Sequence, residues 1–370
     1  MSAARFTPLV ERLPATVPFV GPETQERARG RVFRARIGAN ENGFGPSPKA
    51  IAAMTAAATN DAWKYCDPEN HDLKVAIAAA HGVKPENVLI GEGIDGILGL
   101  AVRLFIEEGM PVVTSLGAYP TFNYHVVGFG GRLVTVPYRD DREDPDALLA
   151  TVRSERAPLV YFANPDNPMG TCWSADAVAD MIDSLPPGTL LLLDEAYTEF
   201  APEQIAPPFD VTNPQVLRLR TFSKAHGLAG LRVGYAIGEA GLIKAFDKIR
   251  NHFGVNLIGQ AGALAAIRDS EHLAWVRREV EIARARIGQI VAAHGLRPLP
   301  SATNFVTVDC GSDGAFARKV LQELVARDVF VRMPAVPPLD RAIRIGCGRP
   351  AELDVFAETL PTALEAARKS

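Results

Sequence analysis

The hydrophobic pattern divides the chain into two textures. From about residue 50 to 250, short apolar runs alternate with amphipathic stretches. The runs at 87–90, 112–115, 133–138, 159–163, 190–194, 216–221 and 233–237 predict seven strands. Helical spacing lies between most of them, for example over 96–107 and 174–184, where Ser174 is placed to cap and Asp176 and Asp180 follow it. Near-continuous Val and Leu runs separated by helices predict a mostly parallel sheet covered on both faces.

After residue 255 the pattern changes. A long helical stretch covers 260–294, in which Glu281 and Arg284 are spaced to pair across one turn. Short strands follow at 304–308, 329–332 and 343–345, with helices at 315–326 and 350–367. Residues 1–48, rich in Pro and Arg, carry no core pattern of their own. The expected division is an N-terminal arm that is also part of the small domain (1–48), a large domain (49–254) and a small α+β domain (255–370). A chain of 370 residues suits two packed lobes better than one core.

Composition adds exclusions. The net charge of −4 gives no electrostatic basis for binding nucleic acid or an anionic membrane. Cys66, Cys172, Cys310 and Cys347 are scattered, without CxxC or zinc spacing, which predicts reduced thiols, no metal and a reducing cytoplasm. The apolar stretch 13–20 is broken by Pro14 and Pro18, and runs such as 190–193 are too short to span a bilayer. A soluble cytoplasmic protein is expected.

Candidate chemistry collects at the ends of the predicted strands. Thr221-Phe222-Ser223-Lys224-Ala225-His226-Gly227-Leu228-Ala229-Gly230-Leu231-Arg232 follows one strand, with two glycines to turn the chain. A lysine on such a turn can project into a cleft as a nucleophile, and Ser223 with Arg232 could hold one anion. Taken alone, the segment reads as a solvated loop. Leu190-Leu191-Leu192-Leu193-Asp194-Glu195-Ala196-Tyr197 puts a carboxylate at the end of an all-leucine run. A charge there must be paired or functional, either capping the next turn or acting as counter-ion to a protonated ring nitrogen. Ala163-Asn164-Pro165-Asp166-Asn167-Pro168-Met169-Gly170 holds the Asn167 amide on a rigid loop, although by itself it is only a turn signal. Gly91-Glu92-Gly93-Ile94-Asp95-Gly96, before a helix, offers backbone N–H groups to a phosphate. Tyr119-Pro120-Thr121-Phe122 offers an aromatic face for a flat ring, or simply core packing. Three loops presenting an amine, an acid and an amide at one sheet edge fit a ligand crevice.

Together, and in this order from Asn40-Glu41-Asn42 to Arg344, these segments resemble the fold-type-I pyridoxal-phosphate aminotransferases, and among them the histidinol-phosphate aminotransferase group. The combination of Asp194-Glu195-Ala196-Tyr197 with 221–232 is specific. The resemblance implies an α/β large domain with a seven-stranded sheet, a smaller α+β domain and pyridoxal 5'-phosphate as cofactor. It implies that Lys224 is the Schiff-base lysine and proton shuttle, and that Asp194 pairs with the ring nitrogen. Asn167 and Tyr197 would bond the ring oxygen, and Phe122 would stack on the ring. Ile94, Asp95, Ser223 and Arg232 would hold the phosphate, joined by Tyr65 from a neighbouring subunit of a homodimer. Arg344 would bind the substrate's acid, with Arg332 and Asn42 as further substrate contacts. Departures from the group's pattern include Asp166 and Met169 around Asn167, Ile94 for a small residue, Cys66 for Pro, His252 and Gly254 before Asn256, and Gly346-Cys347 after Arg344.

The implied reaction moves an amino group from a donor, histidinol phosphate or a related or aromatic amino acid, to a 2-oxo acid such as 2-oxoglutarate. An aromatic amino-acid aminotransferase and a decarboxylase of a phosphorylated amino acid stand as alternatives. A non-catalytic cofactor sensor is disfavoured, because the length leaves no room for a DNA-binding module.

Overall fold

Seven strands form one sheet in the spatial order Val88–Gly91, Gly234–Ile237, Val216–Thr221, Leu190–Asp194, Leu159–Ala163, Pro111–Ser115, Arg132–Val136. Only Gly234–Ile237 runs against its neighbours, so the sheet is mostly parallel, as the sequence predicts. This computed structural model describes residues 4–15, 20–202 and 205–369; Pro18 of the 13–20 stretch lies outside them.

The leucine run shows why the sheet needs two covers. Every residue of Leu190–Asp194 is buried. Leu190 and Leu192 pack with Ile97, Leu98 and Ala101 of the helix Gly93–Phe105 on one face. Leu191 and Leu193 pack with Leu148, Val152, Val178 and Met181 of Pro145–Glu155 and Ala175–Asp183 on the other. Strand alternation therefore sends Asp194 to the first face and Glu195 to the second. On that second face Glu195 meets Arg218 Nη2 at 2.6 Å and Arg220 Nε at 3.0 Å. Burial alone would raise the Glu195 carboxyl, but Arg220 and Arg218 hold it below its ordinary range. Ser174 caps its helix by accepting from the Ala177 N–H at 3.3 Å.

The smaller lobe has a three-stranded antiparallel sheet, Ala342–Gly346, Phe305–Asp309 and Arg297–Pro298, with Thr307 opposite Arg344. The N-terminal segment joins this lobe, since Ala35–Arg36 pairs in parallel with Val329–Phe330. Three expectations change here. The predicted helix over 260–294 is two helices, Leu257–Ile267 and Ser270–Ala292, parted at Asp269, whose carboxylate accepts from Lys49 at 2.9 Å. The first of the two buries Ala263 and Ala266 beside Phe222 and Val233 of the large lobe, so the change of packing falls after it rather than at residue 255. Arg284 does not pair with Glu281; it donates to the Ser301 carbonyl at 3.0 Å, which ties the helix to the next loop.

All four cysteines are free thiols, three of them buried. Among the described residues, no helix is long and apolar enough to cross a membrane, and no cluster of side chains could hold a metal.

Candidate active site

Asp194 ends one sheet strand, and Asn167 and Lys224 follow the carboxyl ends of two others, where the crevice of an open α/β sheet lies. The turn after Val216–Thr221 is shaped by Gly227, at φ +68°, where an added Cβ would lie 2.5 Å from the Gly45 carbonyl carbon. Only glycine permits this close approach of the 40–46 segment. That approach brings Asn40 to the lysine: Lys224 Nζ donates to the Asn40 carbonyl at 3.3 Å and stands 5.6 Å from the centre of the Tyr197 ring. Asn40 in turn donates to the Tyr197 hydroxyl at 2.9 Å, and Asn304 donates to the Asn40 carbonyl at 3.1 Å.

Asp194 is buried, with two donors: the Tyr161 hydroxyl at 2.7 Å and the Ala196 N–H at 2.9 Å. Burial pushes its carboxyl up to about 6, against the pull of those two donors. Among the described residues no Lys or Arg forms an ion pair with it, so a cation arriving beside it would favour the charged carboxylate.

The position expected to hold a phosphate lies at the start of Gly93–Phe105, which has no side-chain cap. Its first-turn N–H groups therefore lack an internal partner. Gly93 has φ +72°, and an added Cβ would come 2.6 Å from Arg232 Nη2. Arg232, itself left-handed at φ +56°, donates to Ser223 Oγ at 3.3 Å and to Asp95 at 3.3 Å. Gly93, Ile94, Asp95, Ser223 and Arg232 thus come together. The Asp95 carboxylate also accepts from the Tyr119 hydroxyl at 2.7 Å.

On the opposite side, Arg344 Nη1 donates to Asn167 Oδ1 at 2.5 Å, leaving the Asn167 amide nitrogen as a donor. The Arg344 guanidinium carbon sits 5.1 Å from the Phe305 ring centre, and its Nε is buried without a partner among the described residues. The side-chain oxygens of Asn40 and Asn304 are similarly without a partner among the described residues. Buried polar atoms without partners, gathered round one crevice, fit a polar ligand.

Four of the expected site residues make other contacts within the chain. Phe122 is fully buried and stacked on Tyr161 at 4.7 Å, so no part of its ring opens to the crevice; it supports the donor to Asp194 instead. The Asn42 amide is tied to backbone at both ends, donating to the Ala225 carbonyl at 3.1 Å and accepting from the Phe44 N–H at 3.1 Å. Tyr65 is 83% exposed against Phe253, on the surface outside its own chain's crevice. Arg332 lies beside Arg344 across a β-bridge, but its guanidinium reaches the Val20 carbonyl. Burial and then the Arg344 charge lower its pKa to about 10. The sequence reading passed over Asn40, whose φ of +56° marks it, and over Tyr161, which has no local signal.

This arrangement has counterparts among known proteins. A profile of the family "Aminotransferase class I and II" matches residues 36–360. The chain is 38% identical to histidinol-phosphate aminotransferase 2 of Ralstonia nicotianae, over 96% of each chain. It is 36% identical to histidinol-phosphate aminotransferase of an Anaeromyxobacter species, over 92% of this chain and 94% of the other. The crystal structure of histidinol-phosphate aminotransferase from Sinorhizobium meliloti in complex with pyridoxal-5'-phosphate is 56% identical and superimposes with a TM-score of 0.95 over 98% of each chain.

Proposed function

The chain belongs to the class I and II aminotransferases, and from this we propose that it transfers the amino group of histidinol phosphate to a 2-oxo acid such as 2-oxoglutarate. It is a pyridoxal-phosphate-dependent aminotransferase acting on small-molecule amino and oxo-acid substrates. The reading of the site rests on one observation above all: Asp194, a buried acid with no ion pair to Lys or Arg among the described residues, ends a strand at the same sheet edge as the loops of Lys224, Tyr197 and Asn167. The donor is inferred from the relatives it resembles.

When bound, pyridoxal phosphate supplies an aldehyde that links to amines and a ring that takes up the electron pair left at Cα. The Asp194 carboxylate holds a proton on the ring nitrogen. Tyr197, fixed by Asn40, and the Asn167 amide donate to the ring oxygen. Ser223, Arg232 and the N–H groups of Ile94 and Asp95 hold the phosphate. Lys224 Nζ removes the proton from the donor's Cα and returns it to the other side of the amino nitrogen. Arg344 presents its planar fork to the substrate's acid, a geometry lysine lacks.

A panel of histidinol phosphate, phenylalanine and glutamate, each mixed with holoenzyme in single turnover, tests the donor. Histidinol phosphate should discharge the yellow absorbance fastest, and a faster reaction with phenylalanine would reassign the enzyme to aromatic donors. Arg344→Lys should lower kcat/KM for the oxo acid by about 2–5 kcal/mol, with cofactor affinity retained. Unchanged kcat/KM with a lowered Tm would make Arg344 structural.

The assembly follows from Tyr65. With Trp63 at 81% exposure nearby, its exposed ring suits a second copy of this chain in a homodimer, where the Tyr65 hydroxyl reaches the partner's phosphate. Sedimentation should give a dimer at assay concentration, and Tyr65→Phe should weaken cofactor affinity. A fully active monomer overturns this assembly.

A further inference from the structure

Asp166 stands one residue before Asn167, in place of the usual Asn, and is 3% exposed. Its two oxygens are occupied: Oδ1 accepts from the Tyr138 hydroxyl at 2.8 Å and Oδ2 from the Met169 N–H at 2.9 Å. Behind it lies a second buried carboxyl, Glu143, 1% exposed, which accepts from Ser115 Oγ at 2.7 Å and from the Ala163 N–H at 3.1 Å. Two carboxyls buried this near each other resist ionising together. Burial and then the Asp166 charge raise Glu143 well above its ordinary range. Burial raises Asp166 only to about 6, opposed by Tyr138, Met169, Glu143 and Arg344, so of the two it ionises the more readily.

Arg344 has the complementary problem. Burial lowers its pKa, and Tyr197, Asp166 and Tyr119 oppose that effect. No carboxylate among the described residues forms an ion pair with its guanidinium, whose single protein hydrogen bond goes to Asn167. A carboxylate in direct contact would neutralise this arginine but would also occupy the edge that a substrate's acid needs.

We propose that Asp166 is a positioning residue for acid binding: tied down by Tyr138 and Met169, its carboxylate offsets the Arg344 charge from a distance while leaving the guanidinium edge open. The inference rests on the acid-binding role of Arg344. It predicts a sign that a merely structural residue would not give. Removing the negative charge leaves Arg344 less compensated, so anions bind more tightly rather than more weakly. For two charges within about 10 Å at an effective dielectric of about 20, the gain is about three- to thirty-fold after screening.

The test uses holoenzyme, whose phosphate corner is filled, with sulfate as the probe. Sulfate affinity is measured both as thermal stabilisation and as inhibition of transamination. Asp166→Asn should bind sulfate about three- to thirty-fold more tightly and lower KM for the oxo acid, with kcat falling as product leaves more slowly. Asp166→Ser, which keeps an acceptor for the Met169 N–H, should give the same sign if the asparagine variant does not fold. Glu143→Gln keeps the shape of a carboxyl that burial holds against ionising and should bind sulfate like the parent. Unchanged or weaker sulfate binding in the Asp166 variants overturns the proposal, as does tightening in Glu143→Gln. Arg344→Ala separates the two levels of argument. If it leaves sulfate binding intact, the acid-binding role of Arg344 falls as well; if it abolishes binding while Asp166→Asn changes nothing, only the role of Asp166 falls.

Discussion

Lys224→Ala should abolish multiple turnover, lowering the steady-state rate on the order of 10⁴-fold or more. Two functions disappear together, the amine that links the cofactor's aldehyde and the base that moves the Cα proton, and positioned proton transfer alone contributes about 10²–10⁴-fold. The fold should survive, because the half-buried lysine makes one hydrogen bond, to the Asn40 carbonyl. Cofactor should still bind, since Asp194, Ser223 and Arg232 stay in place. The measurements are steady-state transamination beside equilibrium dialysis of pyridoxal phosphate. Turnover within ten-fold of the parent, with cofactor bound, would take Lys224 out of the chemistry and the site assignment with it.

Asp194→Asn should lower kcat by about 10²–10³-fold, in the range for losing one preorganised electrostatic contact at a developing charge. The substitution preserves shape and an acceptor for the Tyr161 hydroxyl, so the loss isolates the charge. It also carries a pH signature. In the cofactor-free protein, burial raises the Asp194 carboxyl to about 6. As pH falls through that value the carboxylate takes a proton, and the parent loses the charge that the variant never had. The difference in cofactor affinity between parent and variant should therefore be largest near pH 8 and should narrow below about pH 6. Titrations of both cofactor-free proteins at pH 5 and 8 measure it. A constant difference, or a kcat within a few-fold of the parent, would make Asp194 a structural acid.

Much of the frame was legible because it is local. An all-leucine run has to lie in a sheet covered twice, and it does, with Leu191 and Leu193 against one layer of helices and Leu190 and Leu192 against another. A polar residue ending such a run has to emerge at the sheet's carboxyl edge, so Asp194, Asn167 and Lys224 could be brought to one crevice from their strand ends alone. Gly227, read as turning the chain, has positive φ, whereas Gly230, read the same way, does not. The helix break at Asp269 was less visible, because the periodicity of Leu257–Ile267 resumes almost in phase in Ser270–Ala292.

The sequence by itself determined the sheet, the order of the strand-end loops and the residues able to carry amine, acid and amide chemistry. These follow from hydrophobic period and turn chemistry, which act over a few neighbouring residues. The partners of those residues were decided only by the tertiary structure. Asn304 reaches the Asn40 carbonyl across 264 residues of chain, and Arg344 reaches Asn167 across 177. No local pattern says that Asn42 spends its amide on the Ala225 carbonyl while Asn40 faces Tyr197, or that Phe122 lies closed against Tyr161. Nor does it say that two carboxyls are buried here, Glu143 on the Ala163 N–H and Asp166 on the Met169 N–H. Such pairings depend on how the small lobe and the N-terminal segment close over the sheet, and the free energy of a buried charge is set by what that closure places beside it.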